Sequence, residues 1–170
     1  NLWTREEAGQ AMGKLMEYVD VCIANEEDAA DVFGIKSAGT DVTGGHLNHE
    51  GYKDVAAQLV ERFKFEKVAI TLRGSISASD NTWAAMLYDG NESYFSKEYN
   101  VRIVDRVGGG DSFGGGLIYG LLSGMENQAA LEFAVAASCL KHTIEGDANH
   151  VTVDEVKTLA GGDGSGRVQR

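Results

Sequence analysis

VRIVDRVGGGDSFGGGLIYGLL, residues 101–122, sets an apolar, strand-like run against six glycines within residues 107–116 and continues at once into an apolar, helix-like run. Each glycine inside a helix costs about 1 kcal/mol relative to alanine, so such a cluster at a helix start needs a physical reason. Without a Cβ the backbone can approach a ligand closely, and the first turn of a helix offers unpaired N–H groups and the positive end of its dipole. Together these make a cradle for an anion. Asp111 stands at the start of that turn. Its carboxylate either caps the helix or accepts the proton of a hydroxyl that attacks a bound phosphoryl group.

Outward from this stretch the chain alternates. Residues 4–19 place Ala8, Met12, Leu15, Met16 and Val19 on one stripe behind Thr4, which predicts a capped amphipathic helix. VDVCIAN (19–25) reads as a buried strand, and NEEDAADVFG as a short helix with an acidic first turn. A glycine- and threonine-rich loop near 39–45 precedes a helix near 49–64 and a second apolar strand, EKVAITL (66–72). TWAAMLYDG and ESYFSKEY flank Asp89-Gly90-Asn91, the pattern of a hairpin. VRIVD (101–105) leads into the glycines, and helices are predicted at 111–123, 127–142 and 152–160. Alternation of this kind, with strands that lack a polar face, predicts an α/β fold whose central strands are covered on both sides. Ligands in such sheets gather beyond the carboxyl ends of the strands, where NEED, TLRGS and VGGGD fall.

The 170 residues, 43% of them hydrophobic, suit one domain. Fifteen basic against 26 acidic side chains give a formal charge of -11. That field repels nucleic acid and anionic membranes, while a local site can still hold a small anion. With no run of ~18 apolar residues and no basic-then-apolar leader, the chain is expected to be soluble and cytoplasmic. It opens on Asn1 rather than Met, which suggests a start that is not the natural one. Cys22 and Cys139 sit among apolar neighbours as small core hydrophobes, and their number and spacing suggest neither zinc nor a disulfide framework. His46 and His49 form H-x-x-H in a polar loop, a pattern without a metal role here.

Named templates prune the choices. A dinucleotide G-x-G-x-x-G beginning at Gly108 fails at Phe113, and no Lys completes a P-loop. Gly110 to Gly114 does spell G-x-S-x-G, the elbow of a serine hydrolase, with Ser112 as nucleophile and His142 or His150 with Asp147 as its partners.

VDRVGGGDSFGGGLIYGLL resembles the C-terminal signature of the PfkB, or ribokinase-like, carbohydrate kinases, whose usual form is D-T-x-G-A-G-D before a helix. VDVCIANEEDAADVFGI, VAITLRGSISASDNTWAAMLYDG, AVAASCLKHTIEGD and GRVQR are similar to the 2-keto-3-deoxygluconate kinases of that family. The resemblance covers nearly the whole chain. It implies a ribokinase-like, three-layer α/β/α, Rossmann-like sheet, with residues 1–170 as one domain forming the C-terminal, nucleotide-binding half and the β-rich lid absent. It implies transfer of phosphate from ATP, with Mg²⁺, to a keto-deoxy sugar acid. A noncatalytic nucleotide-binding fragment is a further alternative beside the hydrolase.

By the same resemblance Asp111 is the catalytic base, and the N–H groups of Gly108, Gly109 and Gly110 form the anion hole. Asp105 matches an aspartate that helps to hold a monovalent cation in some relatives, although Arg106 replaces the usual threonine beside it. Asn25, Glu27 and Asp28 fall on the N-x-x-E stretch linked to Mg²⁺ through water, with Asp28 in place of the glutamate. Thr71, Arg73 and Ser75 lie at the nucleotide loop, and Ala136 and Ala137 on the helix that flanks adenine. Family members are considerably longer, and their N-terminal half supplies most sugar contacts. A sheet cut at this point invites association with a second copy or with that half.

Overall fold

Thr4 closes the first helix as the sequence predicts: its hydroxyl accepts the N–H of Glu7 at 3.2 Å and its own N–H reaches the Glu7 carboxylate at 2.8 Å. The computed structural model describes residues 3–25, 28–35 and 49–162. Helix α1 (Arg5–Leu15) runs into a 3₁₀ turn (Met16–Tyr18), then β1 (Val21–Asn25), α2 (Asp28–Phe33) and α3 (His49–Phe63). There follow β2 (Lys67–Ser75), β3 (Asp80–Tyr88), β4 (Ser93–Phe95), β5 (Tyr99–Arg102), α4 (Gly109–Leu122), α5 (Asn127–Lys141) and α6 (Val153–Gly161).

The sheet is mixed, in the order β1-β2-β3-β4 with β5 also pairing β3. β1 and β2 are parallel, Val21 opposite Lys67 and Asn25 opposite Thr71. β3 and β5 are antiparallel, Asp80 opposite Arg102 and Trp83 opposite Tyr99. The residues fall into two compact units, Asn1–Thr71 with Met86–Ser93, and Leu72–Ala85 with Tyr94–Arg170.

In the first unit α3 buries Tyr52, Ala56 and Leu59, spaced four and three apart as one helical face requires. Val68, Ala69 and Ile70 of β2 are all buried, so both faces of that strand are covered. β1, at the end of the sheet among the described residues, departs from its reading as a buried strand: only Ala24 is buried and Ile23 is 40% exposed. The stripe of α1 is covered only in part: Met12 and Leu15 are exposed, Ala8 and Val19 are half-buried, and Met16 in the turn that follows is buried. The hairpin turn forms where expected, with the Asp89 carboxylate accepting the N–H groups of Asn91 and Glu92.

In the second unit α5 is buried on nearly every side, the mark of a central helix. α4 packs against it closely enough that a Cβ on Gly116 would lie 2.9 Å from the Cα of Ala134. That answers part of the glycine puzzle: Gly116, and Gly120 one turn on, let two helix backbones approach. α6 opens with a second reciprocal cap, between Thr152 and Glu155, and closes on Lys97, whose ammonium donates to the carbonyls of Ala160 and Gly162, each at 2.6 Å. Two strand limits differ from the sequence reading. β2 runs on to Ser75, and β5 ends at Arg102, so 103–105 leave the ladder. Val104 and Asp105 instead donate their N–H groups to the His142 carbonyl, at 2.8 and 3.3 Å.

Candidate active site

The cap of α4 is Gly108, not Asp111. Gly108 sits at φ 79°, a left-handed conformation, and its carbonyl accepts the N–H of Ser112 at 2.9 Å. A side chain there would run into the Asp147 carbonyl, so this position requires glycine on two counts. Asp111 is the third residue of the helix, exposed in the first turn. Its carboxylate faces the field of the dipole without closing the end of the helix. The N–H of Gly109 is taken by the Arg106 carbonyl at 3.2 Å. Those of Gly108, Gly110 and Asp111 have no acceptor among the described residues. The open amides are therefore a set shifted from the three glycines, with the amide of Asp111 itself added.

The turn is held from behind by the C-terminal end of α5. Ser138, fully buried, donates its hydroxyl to the Gly109 carbonyl at 2.7 Å. The His142 ring lies against Gly109 and tilts over Trp83, with ring centroids 4.8 Å apart. Its Nδ1 donates to the Ser138 carbonyl at 2.7 Å, which places the proton of the neutral ring on that nitrogen. Burial, reinforced by the positive charges of Lys141, Arg106 and Arg73, holds the His142 pKa below its ordinary value against the opposing pull of that hydrogen bond. The two Asp105 oxygens accept the N–H groups of Val107 and Gly146, each at 3.0 Å, which lowers the carboxyl below the usual range.

A cleft of about 370 Å³ opens beside α4. Asp111 and Ser112 line it together with the apolar Phe133, Ala137, Val151 and Val156. Tyr119 also lines it, stacked on Phe133 at 5.1 Å. Asn149 builds part of the wall by donating to the Ala137 carbonyl at 3.1 Å and accepting the Val151 N–H at 3.2 Å. An apolar slot lined by a carboxylate, on a helix whose first turn holds unpaired amides, is suited to a ligand with a flat apolar part and a charged tail.

The other sequence-derived candidates distribute unevenly. Ala137 lines this cleft, whereas Ala136 is fully buried and does not. Arg73 and Ser75 are exposed positions of β2 rather than of a loop, because the strand continues to its pairing with β3, and neither lines the cleft. Thr71 belongs to the first unit, paired with Asn25. There the Asn25 N–H donates to the Asp28 carboxylate and the Asp28 N–H to the Asn25 side chain, both at 2.9 Å, a reciprocal cap. Glu27 and His46 lie outside the described residues, and His49 begins α3. Among the described residues no group of three or more His, Cys, Asp or Glu is placed to hold a metal. His142 is committed to Ser138 and Gly109, and His150 is exposed, so neither forms a triad with Ser112. The sequence reading missed Ser138, Lys141 and Asn149, whose roles arise from contacts distant in the chain.

Residues 2–154 match the pfkB family of carbohydrate kinases. The 2-dehydro-3-deoxygalactonokinase of Haloferax volcanii is 31% identical over 163 residues, 95% of this chain and 45% of that protein. The crystal structure of 2-dehydro-3-deoxygluconokinase from Thermotoga maritima is 50% identical, with a TM-score of 0.87 over 95% of this chain and 47% of that one. A ribokinase-type structure from E. coli in complex with ATP and Mg²⁺ shares the fold at 22% identity, with a TM-score of 0.64 over 88% of this chain and 42% of that one. The chain thus spans about half the length of the relatives it matches. Among the described residues no helix is long and apolar enough to cross a membrane.

Proposed function

Because the chain belongs to the pfkB family of carbohydrate kinases, we propose that it carries the ATP site and the catalytic base of a kinase for 2-keto-3-deoxygluconate or a close keto-deoxy sugar acid. One observation carries the reading: an exposed carboxylate, Asp111, lines an apolar cleft and shares a helix turn with unpaired backbone amides. The amides of Gly108, Gly110 and Asp111 stabilise charge as it builds on the transferring phosphoryl oxygens. Asp111 accepts the proton of the attacking hydroxyl. Phe133, Ala137 and Val156 give the base of the nucleotide an apolar seat. The choice of sugar acid follows the names of the two relatives, each a kinase of a 2-dehydro-3-deoxy sugar acid.

Mg²⁺ bound with the nucleotide supplies positive charge to the phosphates. Asp28 is already occupied in its reciprocal cap with Asn25, and no three-ligand cluster stands among the described residues. An ion held by the phosphates of the nucleotide and by water needs no such cluster.

ADP release with a panel of keto-deoxy acids and ketohexoses tests the proposal, measured on this chain and on a chimera carrying the N-terminal half of the Thermotoga maritima enzyme. Turnover of the chimera with a keto-deoxy acid and ATP is expected. Labelling of Ser112 by a fluorophosphonate, with no use of ATP, would replace the kinase reading with a hydrolase.

A further inference from the structure

Lys141, the last residue of α5, has no solvent exposure. A fully buried ammonium is rare unless paired, because its desolvation costs several kcal/mol. Among the described residues no carboxylate forms an ion pair with it. Its hydrogen bond goes to the backbone carbonyl of Ile144, at 3.0 Å. The segment it braces is the one that supports the glycine turn. The His142 carbonyl accepts the N–H groups of Val104 and Asp105, Gly146 donates to Asp105, and the Asp147 carbonyl lies against Gly108.

The resemblance places a monovalent cation at Asp105, and the residues present do not fit one. Both Asp105 oxygens already accept backbone N–H groups. Arg106 turns away to donate to the Ala78 carbonyl at 2.9 Å. The positive charge at this place is Lys141, whose field acts on Asp105, and a second cation beside it would meet like-charge repulsion.

We propose that the ammonium of Lys141 is a built-in cation that braces residues 142–147 behind the anion cradle, so that the site works without an added monovalent ion. The proposal rests on the ATP-site reading for its binding arm and stands apart from it in its stability arm. Lysine reaches the site from the end of α5, where a cation also complements the helix dipole.

The 170-residue chain is compared in choline chloride and in potassium chloride of equal ionic strength, by thermal unfolding and by calorimetric titration with MgATP. Wild type is expected to show the same Tm and the same affinity in both salts. Lys141→Ala in choline is expected to unfold at lower temperature and to bind MgATP about tenfold more weakly, the lower range for a lost hydrogen bond to a charged group. Methylammonium or potassium, small enough to enter the vacated space, is expected to restore part of both. A wild-type Tm or affinity that rises severalfold more in potassium than in choline overturns the proposal, as does a Lys141→Ala variant unchanged in both measurements. Should Lys141→Ala not fold, Lys141→Met keeps the stem without the charge, and the wild-type comparison decides by itself. If no form binds MgATP in any salt, the ATP-site reading fails, while rescue of Tm by methylammonium still decides the brace.

Discussion

The Ser138 hydroxyl donates to the Gly109 carbonyl at 2.7 Å across a separation of 29 residues. That carbonyl and the Gly110 N–H belong to one planar peptide group, so fixing the first fixes the direction of the second. The Gly110 N–H is among the amides left open in the cradle. A side chain that never reaches the cleft therefore sets the direction of an unpaired donor in the first turn of α4.

Ser138→Ala removes the only side-chain donor on this carbonyl among the described residues. The expected cost is about 1 kcal/mol of stability, the net worth of one hydrogen bond. Nucleotide affinity is expected to fall more than stability alone requires, because the peptide plane is freed. Urea unfolding and MgATP titration of the same variant check both. An affinity loss absent while stability falls would leave Ser138 a packing residue.

Gly108→Ala places a Cβ at positive φ and against the Asp147 carbonyl. A left-handed non-glycine residue costs about 1–2 kcal/mol before any clash. The expected outcome is a lower urea midpoint and weakened MgATP binding, whereas Gly110→Ala, where a Cβ meets open space, is expected to cost less.

His142 gives stability a pH dependence. Burial lowers its folded-state pKa, first of all, with Lys141, Arg106 and Arg73 adding to the effect. The unfolded chain therefore takes up the proton more readily than the folded one. The stability His142 contributes is complete above its unfolded value of about 6.5 and is lost as pH falls toward the lower folded value. Tm measured from pH 8 down to pH 5 is expected to drop below neutrality, and His142→Gln is expected to flatten that drop.

Burial pushes the Cys139 thiol up to about 12 and, with the charge of Asp28 contributing, the Cys22 thiol up to about 11. Both are expected to resist maleimide at neutral pH in the folded chain and to react on unfolding. Mass spectrometry after a short pulse counts the adducts.

Local signals made most of the elements legible. Thr4 ahead of an apolar stripe marked a helix start, and the spacing of Tyr52, Ala56 and Leu59 matches the buried face of α3. The apolar run at 66–72 marked β2, but its end at Ser75 was hidden because Arg73-Gly74-Ser75 carries no apolar pattern and is ordered by pairing. The start of α4 was legible as a glycine cluster. Which glycine caps the helix was not, since three neighbouring glycines tolerate positive φ equally and a contact with Asp147 decides. Ser138 and Lys141 read as ordinary residues at the end of a helix and His142 only as a candidate partner of Ser112, and their roles come from packing of that end against residues 104–109.

The proton-accepting role of Asp111 is tested most directly by Asp111→Asn in the chimera, assayed for ADP release with saturating keto-deoxy acid and for MgATP affinity by titration. The account predicts turnover reduced by about 10²–10⁴-fold, the usual worth of a general base, with affinity for MgATP retained. Turnover equal to that of the parent chimera would contradict it.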